Sequence, residues 1–329
     1  MSWNQQIALS VGGTFGHLKP AIQAASIAKD RFFLIGIGLK DSPFLIESDL
    51  QIVSLKGARK FFLLLKSCWD AFVAFQQKNP KIVICFGSFH SFPATIVALF
   101  LGKPIWVFEP NAKMGKVNRF FSFFAHKILC YEHSLASTFP HRGIVLTPEL
   151  TAYDPEESFR FFGLTRDKKV LLILGGSSGS KFINDFVLEY VLALKDFQII
   201  HFVGPKNDPT VFQELYREHQ IPAFVETFSL ELLRAMSIAD VAISRAGASS
   251  LKELLHYQVP TLIIPFEGAD LHQRENGINF LKNGGVGTIV LEEKKGEMIS
   301  ELFLILQKQK KDSNSMQKGL KWSDIISLE

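Results

Sequence analysis

Short runs dominated by apolar residues recur along this chain, at 7–11, 32–37, 52–55, 82–85 and 105–108, and again at 170–174, 199–203, 225–228, 241–243, 261–265 and 288–291. Most are unbroken, without the apolar-polar alternation of a strand exposed on one side. Continuous runs of this length suit parallel strands buried on both faces. Helix-length segments separate them, so the pattern predicts repeated strand-helix units and an α/β fold. The series falls into two halves. Between them, residues 150–167 hold Asp154, Pro155 and an acidic pair and read as a linker. The expected organisation is a first domain at 1–149, that linker, and a second domain at 168–329. The Lys-rich stretch 307–321 reads as a solvated end or as a tail packing back on the first domain.

The chemistry-bearing residues fall where the runs end. After the first run come Gly12-Gly13-Thr14-Phe15-Gly16-His17, then Pro20 and an Ala-rich helix at 21–28. After the run at 170–174 come Gly175-Gly176-Ser177-Ser178-Gly179-Ser180 and a helix from Lys181, with Asn184 on its first turn. A strand, a glycine loop and a helix start present backbone N–H groups to an anion. Neither loop has the GxGxxG spacing of a dinucleotide fingerprint or the Gly-Lys-Ser/Thr ending of a P-loop.

Two further ends extend the set. The run at 241–243 leads into Arg245-Ala246-Gly247-Ala248-Ser249, with Glu253 one turn along the next helix, and the run at 261–265 leads to His272-Gln273 and Asn276. In the first half, the run at 82–85 delivers Gly87, Ser88, Phe89, Ser91 and Pro93, and the run at 105–108 delivers Glu109-Pro110-Asn111, Gly115 and Asn118. In open parallel sheets such carboxyl ends line the ligand crevice. Glu109 reads either as a catalytic or sugar-binding group or as a buried cap of the next helix.

Composition adds compartment and partners. The 329 residues suit two domains, with 47% apolar and 21% charged residues. Cys68, Cys85 and Cys130 lack metal-ligand spacing and sit in apolar contexts, which fits a reducing compartment. The opening residues do not read as a signal peptide, and no run reaches the roughly 18 apolar residues of a membrane span, so a soluble or peripheral protein is expected. Residues 1–150 carry 16 Lys and Arg against 8 Asp and Glu, whereas residues 151–329 carry 20 against 24. A basic half attracts anionic membrane or nucleic acid. No recognition helix or RNA-binding sheet motif accompanies it, so nucleic acid is not expected. Arg59, Lys60, Phe61, Phe62, Lys66 and Trp69 belong to a segment apolar nearly all round with a basic rim, which reads as an interfacial helix or as one buried between sheet and neighbour. The cluster at 119–124, one Arg and four Phe, could join a lipid-facing patch.

The order of these ends resembles the MurG family of glycosyltransferases, over about residues 7–291. The resemblance implies a GT-B fold, two Rossmann-like domains with parallel sheets facing across a cleft that holds the active site. It implies transfer of N-acetylglucosamine from UDP-N-acetylglucosamine to lipid I, giving lipid II in peptidoglycan synthesis, with inversion, no metal and no cofactor. For that reaction His17 is the first choice of general base, an imidazole being suited to the step, and Glu109 the second; the remaining roles are carried over residue by residue. The donor set is Thr14, Asn111, Ser177, the amides of 246–250 (Ala246, Gly247, Ala248, Ser249 among them), Glu253 on the ribose, and His272 and Gln273 on the sugar and phosphates. The loop at 225–228 would flank the uracil. Gly12, Gly13, Thr14, Gly16, Gly87 and Ser88 would meet the diphosphate of the lipid-linked muramoyl pentapeptide acceptor. The Arg59 to Trp69 patch would face an anionic membrane, placing the protein peripherally on the cytoplasmic face of the inner membrane.

The chain departs from the family pattern at Phe15, Phe89, Pro110 and Thr147-Pro148-Glu149. Those departures keep two alternatives open: a non-catalytic scaffold that binds a nucleotide sugar or lipid headgroup, and a GT-B transferase with another lipid acceptor.

Overall fold

The computed structural model describes residues 6–12, 15–42, 45, 48–57, 61–148, 150–266, 268, 272–308 and 319–326. It divides into two units, one formed by Met1–Glu149 with Lys318–Glu329 and the other by Leu150–Gln317.

The first unit is built on seven parallel strands, β1 (Ile7–Ser10), β2 (Phe32–Ile37), β3 (Ile52–Leu55), β4 (Ile82–Cys85), β5 (Ile105–Glu109), β6 (Lys127–Cys130) and β7 (Gly143–Val145), in the order β3-β2-β1-β4-β5-β6-β7. Around them lie α1 (Phe15–Ile27), α2 (Phe61–Lys78), α3 (Phe92–Phe100), α4 (Lys116–Ser122) and α5 (His133–Ala136). Alternate strand residues serve opposite faces: Ile7 and Leu9 join one core layer with Phe86 and Phe108, while Ala8 joins the other with Phe33 and Val83. Both layers are apolar, which is why the strands read as unbroken runs. Ile7 pairs with Phe32 on one side and Ile82 on the other. Strand order therefore reverses beside β1, and the switch point falls between the carboxyl ends of β1 and β4.

The second unit repeats the plan with β8 (Lys169–Leu174), β9 (Phe197–Phe202), β10 (Ala223–Glu226), β11 (Val241–Ser244), β12 (Thr261–Ile263) and β13 (Gly287–Ile289), all parallel, in the order β10-β9-β8-β11-β12-β13. Its helices are α6 (Pro155–Phe162), α7 (Lys181–Tyr190), α8 (Pro209–Glu218), α9 (Leu232–Ile238), α10 (Ala248–His256), α11 (His272–Lys282) and α12 (Met298–Leu306). Its switch point lies between β8 and β11. Two Rossmann-like parallel sheets are what the sequence pattern predicts.

Three expectations change. The stretch read as linker contains α6: Asp154 caps it by accepting from the Glu157 N–H, Pro155 sits on its first turn, and Gly163 closes it at φ 64°. Asp-Pro-Glu-Glu is a helix start here, because Pro needs no N–H partner there and acids suit the positive end. Phe159 and Phe162 bind this helix to the second unit's core. The helix expected from Pro20 begins at Phe15 and takes Gly16 and His17 into its first turn, with Pro20 inside it.

The third change is the addition of β6 and β7, which the sequence runs did not include. Residues 309–318 lie outside the description, but after them Leu320 forms a parallel bridge with Leu146, and α13 (Trp322–Ile326) buries Trp322 against Phe86 and Phe108 in the first unit. Among the described residues no helix is long and apolar enough to cross a membrane.

Candidate functional site

At the switch point of the first sheet, His17 stands half-buried on the first turn of α1, with Nδ1 2.9 Å from the Phe86 carbonyl oxygen. A carbonyl only accepts, so Nδ1 carries a proton, and in the neutral ring Nε2 holds the lone pair. The turn after β4 is tied down around it. Ser88 sits at φ 65°, ψ 160°, a conformation few residues other than Gly adopt, and its hydroxyl donates to the Gly12 carbonyl at 3.0 Å and accepts from the His90 N–H. Gly12 is buried under the His90 side chain, and Gly87 at φ 83° lies against Asn118. Gly16 is exposed, while Gly13 and Thr14 lie outside the described residues.

Glu109 ends β5 at 1% exposure. Its Oε1 accepts from the Asn111 backbone and side-chain nitrogens at 3.0 and 2.8 Å, and its Oε2 from the Gly115 N–H and Asn118 Nδ2, both at 2.9 Å. Two donors on each oxygen fill the carboxylate's acceptor sites. Of its two sequence readings this geometry favours the buried cap: Glu109 holds the 111–118 turn, and Asn111 folds back on it. The network continues from Asn118 Oδ1 to the Cys85 thiol, and from Cys85 to the Ser91 hydroxyl.

The second unit's switch point is framed by two turns. The turn 176–179 closes by a Gly179 N–H to Gly176 carbonyl bond of 3.0 Å, and Ser180 caps α7 by accepting from the Ile183 N–H. The half-buried Ser177 hydroxyl has no partner among the described residues. Opposite it, α10 starts at Ala248 behind Gly247 with no side-chain cap, so the first-turn N–H groups of 248–250 carry the helix's positive end unmet.

Arg245 is the organiser that the sequence did not reveal. Buried to 8% exposure, it donates from Nε to the Ser180 hydroxyl at 2.9 Å, from Nη1 to the Ile264 and Pro265 carbonyls at 3.2 Å, and pairs through Nη2 with Glu292 at 2.5 Å. One guanidinium thus fixes the ends of three strand-helix connections. The only signal is a cation among small residues at a strand end, where burial forces it to find partners.

The His272-Gln273 pair opens α11, half-buried. Gln273 Oε1 accepts from the Ala246 N–H at 3.2 Å and the Phe266 N–H at 2.9 Å, while Asn276 Nδ2 donates to the Ala246 carbonyl at 3.1 Å. The Ala246 backbone is held on both sides, its N–H by Gln273 and its carbonyl by Asn276, so its amide is already committed. Gln273 keeps its amide nitrogen as a donor, and His272 Nδ1 is buried without a hydrogen-bond partner. Glu253 is at 2% exposure, so a grip on ribose hydroxyls requires the groups covering it to move. Val225, Glu226, Thr227 and Phe228 line a cavity of about 630 Å³ with Pro209 and Gln213.

On the first unit's surface, α2 turns Ser67, Ala71 and Phe75 inward and leaves Phe62 at 82% and Trp69 at 65% exposure, with Leu65 and Val73 on the same side. The apolar face is therefore open, not buried. Lys66 is exposed; Arg59, Lys60 and the Phe61 side chain lie outside the description. Phe92 on α3, which packs on α2, touches Phe120 of α4, and Phe123 and Phe124 just after that helix are also exposed.

Residues 7–130 match the Glycosyltransferase family 28 N-terminal domain and residues 170–328 the Glycosyltransferase family 28 C-terminal domain. The UDP-N-acetylglucosamine--N-acetylmuramyl-(pentapeptide) pyrophosphoryl-undecaprenol N-acetylglucosamine transferase of Chlamydia trachomatis serovar L2 is 32% identical over 88% of this chain and 85% of its own. The protein of that name from Chlamydia felis is 28% identical over 96% and 93%. Among solved structures, Acinetobacter baumannii MurG shares the fold with a TM-score of 0.72 at 22% identity over 98% of both chains. The UDP-GlcNAc 2-epimerase of Methanocaldococcus jannaschii does so at 0.65 and 15% over 98% of both, a reminder that one fold carries several chemistries. Sequence identity decides what fold leaves open: the chain belongs to the MurG family of N-acetylglucosamine transferases, with the GT-B fold of two Rossmann-like units.

Proposed function

We propose that the chain transfers N-acetylglucosamine from UDP-N-acetylglucosamine to the 4-hydroxyl of the muramoyl sugar of lipid I, forming lipid II with inversion. Family membership supports the reaction, and the structural observation that carries the mechanism is the His17 tautomer. With Nδ1–H held by Phe86, Nε2 takes the proton of the acceptor hydroxyl as its oxygen attacks the anomeric carbon. The bond from that carbon to the diphosphate breaks, and UDP leaves with the electron pair. The N–H groups of 247–250, the α10 dipole and the Ser177 hydroxyl meet the leaving charge. His272 and the Gln273 amide nitrogen hold the sugar, and Glu253 the ribose once uncovered. Peptide dipoles take the role that a cation has in other transferases, so EDTA leaves the rate unchanged.

The exposed Phe62, Leu65 and Trp69 face and the basic first half support peripheral contact with anionic lipid at the cytoplasmic face of the inner membrane, where the acceptor's polyprenyl chain resides. Replacing Phe62 and Trp69 together by Ser lowers binding to phosphatidylglycerol vesicles about tenfold, given the apolar area removed. Equal binding of both proteins to such vesicles contradicts the assignment. The reaction is tested with labelled UDP-N-acetylglucosamine and a lipid I analogue in detergent. Label appears in the lipid product; UDP binding without transfer to any lipid acceptor supports a binding scaffold instead.

A further inference from the structure

Beneath the 176–180 turn, an uninterrupted line of polar side chains crosses an apolar core. His201 on β9 is fully buried, with Phe212 edge-on at 4.8 Å. Its Nδ1 lies 3.1 Å from the Tyr216 hydroxyl and its Nε2 3.2 Å from Asn184 Oδ1. Asn184, on α7 at 4% exposure, reaches the Val203 carbonyl through Nδ2 at 3.1 Å.

The direction of every bond follows from one end. The Val203 oxygen can only accept, so the Asn184 nitrogen faces it and Oδ1 faces His201. Oδ1 accepts, so His201 carries its proton on Nε2, and Nδ1 must then accept from the Tyr216 hydroxyl. Burial depresses the His201 pKa to about 3, which keeps the ring neutral and this tautomer in place.

The line ends where backbones touch. Asn207 Nδ2 also donates to the Val203 oxygen, and Val203 and Gly204 are held from the other side by the Glu226 and Thr227 carbonyls. Gly204 at φ 92° and Gly179 at φ 75° are so close that a Cβ on Gly204 would stand 2.2 Å from the Gly179 Cα. A shift at Val203 therefore reaches the 176–180 turn directly. Replacing hydrogen-bonded partners by apolar groups of the same shape can be nearly neutral to stability, so holding the core together does not by itself call for a polar line.

We infer that Tyr216, His201 and Asn184 are positioning residues, a one-way hydrogen-bond chain that sets the 176–180 turn against Gly204 for the donor diphosphate. The inference rests on the proposed reading of that turn as part of the donor site. Tyr216→Phe frees the His201 tautomer, and Asn184→Asp places an oxygen against the Val203 carbonyl. His201→Gln retains an N–H toward Asn184. Val187→Ala, in the same core layer but outside the line, serves as a purely structural control.

The experiment measures steady-state constants and amide hydrogen exchange on the full chain. Tyr216→Phe and Asn184→Asp raise KM for UDP-N-acetylglucosamine about tenfold, the scale of a small misplacement, with the acceptor KM unchanged. His201→Gln stays within about threefold of wild type on the same scale. Exchange at 176–180 quickens in the first two variants and not in Val187→Ala. Unchanged donor KM and exchange in Tyr216→Phe and Asn184→Asp, or an equal change in Val187→Ala, overturns the inference. Should the wild type show no affinity for UDP, the donor reading of the turn falls, and the exchange arm still decides whether the chain positions it.

Discussion

The carboxyl edges of the two sheets have the same topology and opposite economies of hydrogen bonding. In the first unit, Glu109 accepts four bonds, the Ser88 hydroxyl both donates and accepts, and Asn118 is drawn in between Glu109 and Cys85. Against this saturated frame His17 keeps one lone pair, on Nε2. In the second unit, Arg245 and Gln273 hold three connections rigidly, yet the α10 start is uncapped and Ser177 is uncommitted. A base is best presented as one acceptor on a fixed support. An anion needs several donors kept unmet, and a helix N-terminus behind Gly247 provides them.

The difference is broken most severely at His17. Replacing it by Ala lowers the transfer rate about 10³-fold, within the range of general-base loss, and leaves UDP affinity unchanged by calorimetry. A matching fall in UDP affinity places His17 on the donor side instead. At Glu109 the expected loss is stability. Glu109→Ala strands the Asn111, Gly115 and Asn118 donors and costs about 3 kcal/mol, read as a lower denaturant midpoint. A variant as stable as wild type but slow in transfer restores Glu109 as the base. Ser177→Ala removes one donor to a charged diphosphate and raises the UDP dissociation constant about tenfold. Wild-type affinity in that variant removes Ser177 from the donor set.

A further effect, on stability alone, is in pH. Burial lowers the His201 pKa from 6.5 to about 3, so below pH 6.5 the unfolded chain binds a proton that the folded chain refuses until about pH 3. Stability is present above 6.5 and falls as pH drops through that window, by at most about 1.4 kcal/mol per unit. His201→Gln loses this component of the slope, which unfolding midpoints at pH 7 and pH 5 measure.

All strands but β6 and β7 were legible because both faces of each sheet are apolar, so Ile7–Ser10 or Val241–Ser244 needs no partner to be recognised. The glycine loop at 175–179 was legible as a turn for the same local reason. What the chain hides is saturation. Nothing local shows that Glu109 meets donors from 111, 115 and 118, or that the Ala246 amide is taken by Gln273, 27 residues on. Arg245 resembles any basic residue in a turn until Ser180, Ile264 and Glu292 converge on it. Pro155 reads as punctuation until Asp154 caps the helix it begins. The α2 face stayed ambiguous because an apolar stripe looks alike whether it meets a sheet or lipid; small Ser67 and Ala71 mark the inner side only once packing is seen.

The division between the two edges is tested most directly by amide hydrogen exchange of the full chain with and without UDP. Protection is predicted at 176–180 and 247–250, with the turns at 86–91 unchanged. Protection at 86–91 with 176–180 and 247–250 unaltered would contradict it.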